Sequence, residues 1–288
     1  MTTLAARRTT ASGPATTPTS PPPARSRNPF AFLTMRGFGG LVRTEAKVWS
    51  RDASTPFFAL LFPALLMVAI AMMNPAMREP ISDPEAMGAV WYGVAPIAIW
   101  FPSLLAMAIA TPSLTVLPAA FGGFREKGVL RRFSATPMRP QALIGAHYLI
   151  NLSAAVVGAA LALVLGQVLF GLVAPRNAAI VVLAFVLGMA STFMVGTLIA
   201  ARVPRGSTGS AIGSVVYFVL IILAGVWTPG PAMPDALVTV ARFTPLGASA
   251  QAMTAGWFES GFPLAQTLVM VGWTAVLLPL SVKLFRWS

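Results

Sequence analysis

Six stretches of this chain run for 23 to 39 residues without an Asp, Glu, Lys or Arg, namely 53–77, 86–124, 140–175, 177–201, 206–234 and 260–282. A helix needs about 20 residues to cross the hydrocarbon of a bilayer, and hydrocarbon leaves a backbone no option but helix or closed barrel. The runs therefore predict an all-α polytopic membrane protein. Its spans lie near 56–74, 90–120, 142–172, 178–200, 208–229 and 262–282. The second run is longer than one span needs and carries Pro96, Pro102, Pro112 and Pro118. A kink, or a surface segment ahead of the helix, is expected there.

The charges support the same reading. Only 10% of the 288 residues are charged, whereas soluble domains carry about a quarter. A formal charge of +12 in a soluble chain would point to nucleic acid. Here the basic residues sit between the apolar runs, so membrane topology accounts for them and no nucleic acid partner is expected. With the N-terminus inside, 17 of the 20 Lys and Arg fall on the cytoplasmic side. Only Arg78, Arg176 and Arg242 fall outside, with five of the eight acids. Both termini are thus expected in the cytoplasm and the chain in the plasma membrane. Residues 1–29, rich in Thr, Ser, Ala and Pro, are expected to form a disordered cytoplasmic tail ahead of a transmembrane domain at 30–288. No apolar core follows the early arginines, so the tail does not resemble a signal peptide.

Soluble enzyme chemistry is poorly provided for. There is no cysteine, and His147 is the only histidine, which excludes thiolate and multi-histidine metal sites. Glu79, Asp83 and Glu85 cluster on a proline-containing loop without a histidine or nucleophile beside them, a weak basis for a membrane-embedded transferase. No G-x-x-x-x-G-K-[ST] loop is present. Gly206-Ser207-Thr208-Gly209 lacks the lysine and reads as a turn into the fifth span.

Two basic segments carry more information than the spans. Residues 36–52 interleave Arg36, Arg43, Lys47 and Arg51 with Leu41, Val42, Val48 and Trp49. This pattern suits a helix in the membrane interface, its basic face toward lipid headgroups; a plain juxtamembrane basic stretch is the alternative. In residues 124–140, Arg125, Lys127, Arg131, Arg132 and Arg139 surround Glu126 and the apolar set Val129, Leu130 and Phe133. That segment suits a short amphipathic helix docking on a partner, or a positive-inside loop.

The run Arg125-Glu126-Lys127-Gly128, then Leu130-Arg131-Arg132 and Thr136-Pro137-Met138, resembles the loop between spans two and three of ABC-2 type permeases. Pro229 with Met233-Pro234, and Phe243-Thr244-Pro245-Leu246, match the same family in order and spacing. In particular the set resembles the daunorubicin-type drug-resistance exporters of actinobacteria, over roughly residues 36–286. The resemblance implies a cytoplasmic coupling helix at 124–140 seated in a separate ATPase subunit. Arg125, Glu126, Lys127, Gly128, Leu130, Arg131, Arg132 and Pro137 would carry that contact. It further implies an interfacial helix bearing Arg43, Lys47, Trp49 and Arg51. External re-entrant helices are implied before span six, with Pro234, Thr244, Pro245 and Leu246 at their turns. The implied partners are the ATPase, a second permease subunit, identical or sister, and membrane lipid. ATP and Mg would sit on the ATPase, and no cofactor on this chain.

Cargo is bounded by the spans themselves. None carries a charged residue, which argues against an ion relay and for a hydrophobic or amphiphilic compound such as a drug, antibiotic or lipid. Glycolipid or polysaccharide export, a membrane enzyme, and a non-transporting immunity or anchor protein remain as alternatives. Met67, Met72, Met73, Met107, Met189 and Met194 lie in or near spans, as gap fillers or as an adaptable lining. Gly158, Ala162 and Gly166, and Gly188, Thr192 and Gly196, recur every four residues and mark close helix packing within a subunit or at a dimer seam. His147 is expected to be a hydrogen-bonded histidine near the cytoplasmic surface. Ser103, Thr111, Ser113 and Thr115 either bond back to their own helix or face cargo.

Overall fold

A helix satisfies its own N–H and C=O groups, so long apolar runs without charge settle into helices that then pack on one another by shape. In a computed structural model the chain does this throughout the described residues, which are 37–83, 91–129, 140–228 and 232–284. Helix α1 covers Phe38–Arg51. Among the described residues, six helices are long and apolar enough to cross a membrane. They are α2 (Ser54–Met73), α3 (Pro96–Glu126), α4 (Pro140–Phe170), α5 (Ala178–Arg202), α6 (Gly206–Leu223) and α9 (Leu264–Leu284). Between the last two lie α7 (Asp235–Arg242) and α8 (Pro245–Phe258).

Two boundaries depart from the sequence expectation. The second span starts at Pro96 rather than near 90, after a segment in which Gly93 and Val94 exchange backbone hydrogen bonds with Ile81. It then continues to Glu126, because Phe121 and Phe124 pack their rings against His147 of α4 and Gly122 lets the Arg205 backbone approach. Arg125 and Glu126 therefore belong to the last turn of α3 rather than to a separate helix.

Helix α3 is the axis of the bundle. Its most apolar stretch is 78% buried, against 17–44% for the other five spans, whose remaining faces are exposed. Every residue from Ile97 to Leu114 is buried.

Prolines shape both α2 and α3 in the same way. In α3 the segment Thr111–Val116 widens to a π-helical turn, and the Leu117 N–H bonds back to Pro112 O. The Ser113 carbonyl thereby loses its regular donor, and the Leu114 carbonyl loses its own because Pro118 has no N–H. Each freed carbonyl is met by a glycine of a neighbouring helix: Ser113 O by Gly196 of α5, Leu114 O by Gly213 of α6. A Cβ on either glycine would overlap the carbonyl oxygen. In α2 the segment Phe57–Leu61 is also π-helical, Pro63 follows, and the Ala59 carbonyl faces Gly158 of α4. Gly166 and Gly188 likewise face Leu172 and Ser249 of the same chain, so the small-residue series serve packing within the subunit.

Between α1 and α2 the Asp52 carboxylate accepts from Ser54 N–H at 3.2 Å, Ser54 Oγ at 2.7 Å and Thr55 Oγ1 at 2.6 Å. These bonds, Thr55's foremost, hold its carboxyl below the ordinary carboxylate range and fix how α1 leaves the bundle.

Candidate functional site

Three regions of the bundle have the chemistry for work beyond holding the fold. The first is a lateral groove of about 590 Å³ between α2 and α6, with α3 as its back wall. Phe58, Phe62, Met107, Tyr217, Phe218 and Trp227 give it an apolar surface, and Thr111, Thr115, Ser210 and Ser214 add hydroxyls. None of the described residues lining it is charged. Phe58, Phe218 and Trp227 are 48%, 55% and 60% exposed, so the groove opens sideways rather than into the bundle. Thr111 and Thr115 donate to the carbonyls of Met107 and Thr111, as back-bonding predicts, while still lining the groove. Of the six methionines singled out in the sequence, Met107 lines this groove. Met67 and Met189 are buried, and Met72 and Met73 are exposed at the far end of α2.

The second region is the end of the bundle where α3 and α5 finish and α6 begins. The Arg125 guanidinium donates to the backbone carbonyls of Ala200, of Ala201 at 3.0 Å and of Val203 at 3.0 Å. The first two are C-terminal carbonyls of α5 and the third belongs to the residue that follows it; they lack intrahelical donors and sit at the negative end of the helix dipole. The adjacent Glu126 carboxylate accepts from Gly206 N–H at 3.2 Å, at the start of α6. One dipeptide on α3 thus clamps the turn that joins α5 to α6. Lys127 follows as the cap, and Gly128 ends the helix in the left-handed region, φ 63°. Leu130, Arg131, Arg132 and Pro137 lie outside the described residues.

Helix α1 lies against α4 at this same end. Arg43, Lys47 and Arg51 share its exposed stripe, and Trp49 is half-buried. Glu45, unremarked in the sequence, places its carboxylate 3.0 Å from His147 Nε2, and His147 is 7% exposed. The clue was an acid two residues from both Arg43 and Lys47, a spacing that puts it on the face opposite the basic stripe.

The third region is the opposite end. The Trp273 indole N–H donates to Phe243 O at 2.8 Å, nine residues or about 14 Å into α9. Ser249 Oγ donates to Ala184 O at 3.0 Å, within α5. The far end of α8 meets the start of α5, where Asn177 N–H donates to Gly256 O at 2.9 Å. The corner between α7 and α8 therefore lies alongside the middle of α9, with Arg242 and Phe243 exposed and Pro245 buried. Thr244 caps α8 by accepting from Gly247 N–H at 3.1 Å, Pro245 occupies the first helical position, and Leu246 is fully buried. Pro234 stands at the N-cap position of α7, which has no side-chain cap.

A family profile described as ABC-2 type transporter matches residues 36–258, from the start of α1 to the end of α8. The chain belongs to the ABC-2 type transporter family. No curated relative matches it at a significant level. As an ABC-2 type permease it is a multi-pass membrane protein and a transport subunit, and ATP is hydrolysed by a separate ABC ATPase subunit. The permease match takes in the groove, the Arg125–Glu126 clamp and the α7–α8 hairpin together, and stops before α9.

Proposed function

We propose that this permease is the membrane subunit of an exporter of the drug-resistance type, moving a hydrophobic or amphiphilic compound out of the cytoplasm or inner leaflet. The observation that carries the reading is the lateral groove, apolar with scattered hydroxyls and lined by no charged described residue. Such a surface suits a cargo that partitions into lipid and is recognised by shape and a few hydrogen bonds.

The groove is open on one side, flanked by exposed apolar faces of α2 and α6, so a second permease subunit is the natural wall opposite it. Arg43, Lys47, Arg125, Arg202, Arg205 and Lys283 gather at the α1 end of the bundle, and Arg78, Arg176 and Arg242 at the other. The positive-inside rule puts the α1 end in the cytoplasm, which leaves α7 and α8 as a re-entrant hairpin on the outer side. In this orientation the ATPase meets residues 127–140, and α1 lies in the inner interface. The clamp carries displacement of the end of α3 to α5 and α6, and so to the groove wall.

Ser214 is partly buried on the groove face of α6. Ser214→Trp is expected to fill the groove and raise cellular accumulation of daunorubicin to the level of cells lacking the permease, with the ATPase still bound. Accumulation equal to that of the wild type would remove the groove as the path.

A further inference from the structure

On the outer surface of the bundle, away from the cargo groove, α1 leaves a second cleft of about 820 Å³ against α2 and α4. Its two ends differ in chemistry. At the α1 rim stand Arg43 and Lys47, one helical turn apart, exposed and without an ion-pair partner among the described residues. Trp49 is also on the rim, and its indole N–H is enclosed and has no acceptor among the described residues. Away from the rim the cleft is hydrocarbon except for Ser153 of α4, whose hydroxyl donates back to Leu149 O at 2.7 Å. Ile150 and Ala154 of α4 form a buried floor, and Leu149 and Val157 form exposed walls.

The level of this cleft follows from the length of α4. Its 31 residues make a helix of about 46 Å, longer than the roughly 30 Å of hydrocarbon, and the basic residues gathered at the α1 end assign its first turns to the headgroup region. His147, seven residues in, ties Glu45 of α1 to that depth. Two cations and an unsatisfied donor thus lie at headgroup level, and an apolar slot runs from them toward the bilayer centre.

We propose that this cleft binds one anionic glycerophospholipid of the leaflet on the α1 side. Its phosphate lies between Arg43 and Lys47 and one acyl chain lies along Leu149 and Val157. A peptide or a second copy of the chain would have no use for cations at one end of a slot that opens to the lipid-facing surface. A lipid presents its charge and its chain in this order. The site is separate from the cargo path and independent of what the permease carries.

The test is native mass spectrometry of the full chain titrated with dioleoyl phosphatidylglycerol or dioleoyl phosphatidylcholine. The expected result is one phosphatidylglycerol retained per chain, in preference to phosphatidylcholine. Each basic side chain near an anionic surface contributes about a factor of five, so the Arg43→Gln/Lys47→Gln pair should weaken retention on the order of thirtyfold. Val157→Trp, which keeps both cations and obstructs the acyl slot at an exposed position, should weaken it as well. Equal retention of the two lipids, or retention unchanged in the Arg43/Lys47 pair, would overturn the proposal. So would indifference to Val157→Trp, which would mean headgroup attraction without a seat for the chain. Full displacement by glycerol 1-phosphate would show a phosphate site and not a lipid site, and would also overturn it.

Discussion

Replacing Arg125 by Ala is expected to stop ATP-driven transport while leaving the ATPase subunit bound. The side chain holds the carbonyls of Ala200, Ala201 and Val203 from a helix 75 residues away in sequence. Its loss leaves the end of α5 without those donors and frees the α5–α6 turn from α3. Hydrogen bonds from a charged donor contribute about 1.5–3 kcal/mol each, and water will replace part of that at this partly buried site. A destabilisation of about 3 kcal/mol is therefore expected for Arg125→Ala. Arg125→Lys should recover little, because one ammonium on a flexible stem cannot reproduce a planar fork aimed at several acceptors. Thermal unfolding and ATPase co-purification, measured on the same preparations, separate the alternatives. Loss of the ATPase in the Arg125 variants, with stability unchanged, would mean that this side chain contacts the partner and is not a clamp.

The second large effect is expected at the glycines that receive the freed carbonyls. In an ordinary helix Gly→Ala stabilises by up to about 1 kcal/mol. At Gly196 and Gly213 the sign should reverse. The added Cβ would overlap the backbone oxygens of Ser113 and Leu114, and backbone in the buried central helix cannot swing aside as a side chain can. Each Gly→Ala change is expected to destabilise by about 1–3 kcal/mol, and Gly213→Ala also to separate α6 from the back of the groove. Gly272 of α9 has nothing near its Cβ position, so Gly272→Ala serves as the control and should be neutral or stabilising. Gly196→Ala and Gly213→Ala variants as stable as the Gly272 control would show that the seam is looser than its geometry requires.

Much of this architecture was legible in the residues because hydrocarbon is an unforgiving solvent. Charge-free runs located the six long helices among the described residues, and the family resemblance put a turn at Thr244 and Pro245, where α7 gives way to α8. The basic stripe Arg43, Lys47 and Arg51 likewise marked α1. What escaped was every relation between distant parts. Arg125 and Glu126 read locally as part of a basic loop, and nothing in the local sequence shows that the end of α5 folds within reach of them. The repeated pairing of a π-helical turn with a proline, Phe57–Leu61 before Pro63 and Thr111–Val116 before Pro118, reads only as a possible kink until neighbouring glycines are seen facing the released carbonyls. The groove had a faint signal in the spacing of Ser210, Ser214, Tyr217 and Ile221 along one face of α6. Its depth depends on α2 and α3 standing opposite.

This permease works as one subunit of a machine whose ATP is hydrolysed by another chain. Purifying the tagged permease from gently solubilised membranes and assaying the eluate for ATP hydrolysis tests this most directly. A stoichiometric ATP-hydrolysing partner is expected in the eluate, and is expected to be absent when Arg131 and Arg132 are both changed to Glu. Recovery of the permease alone, under conditions that keep other membrane complexes whole, would contradict that expectation.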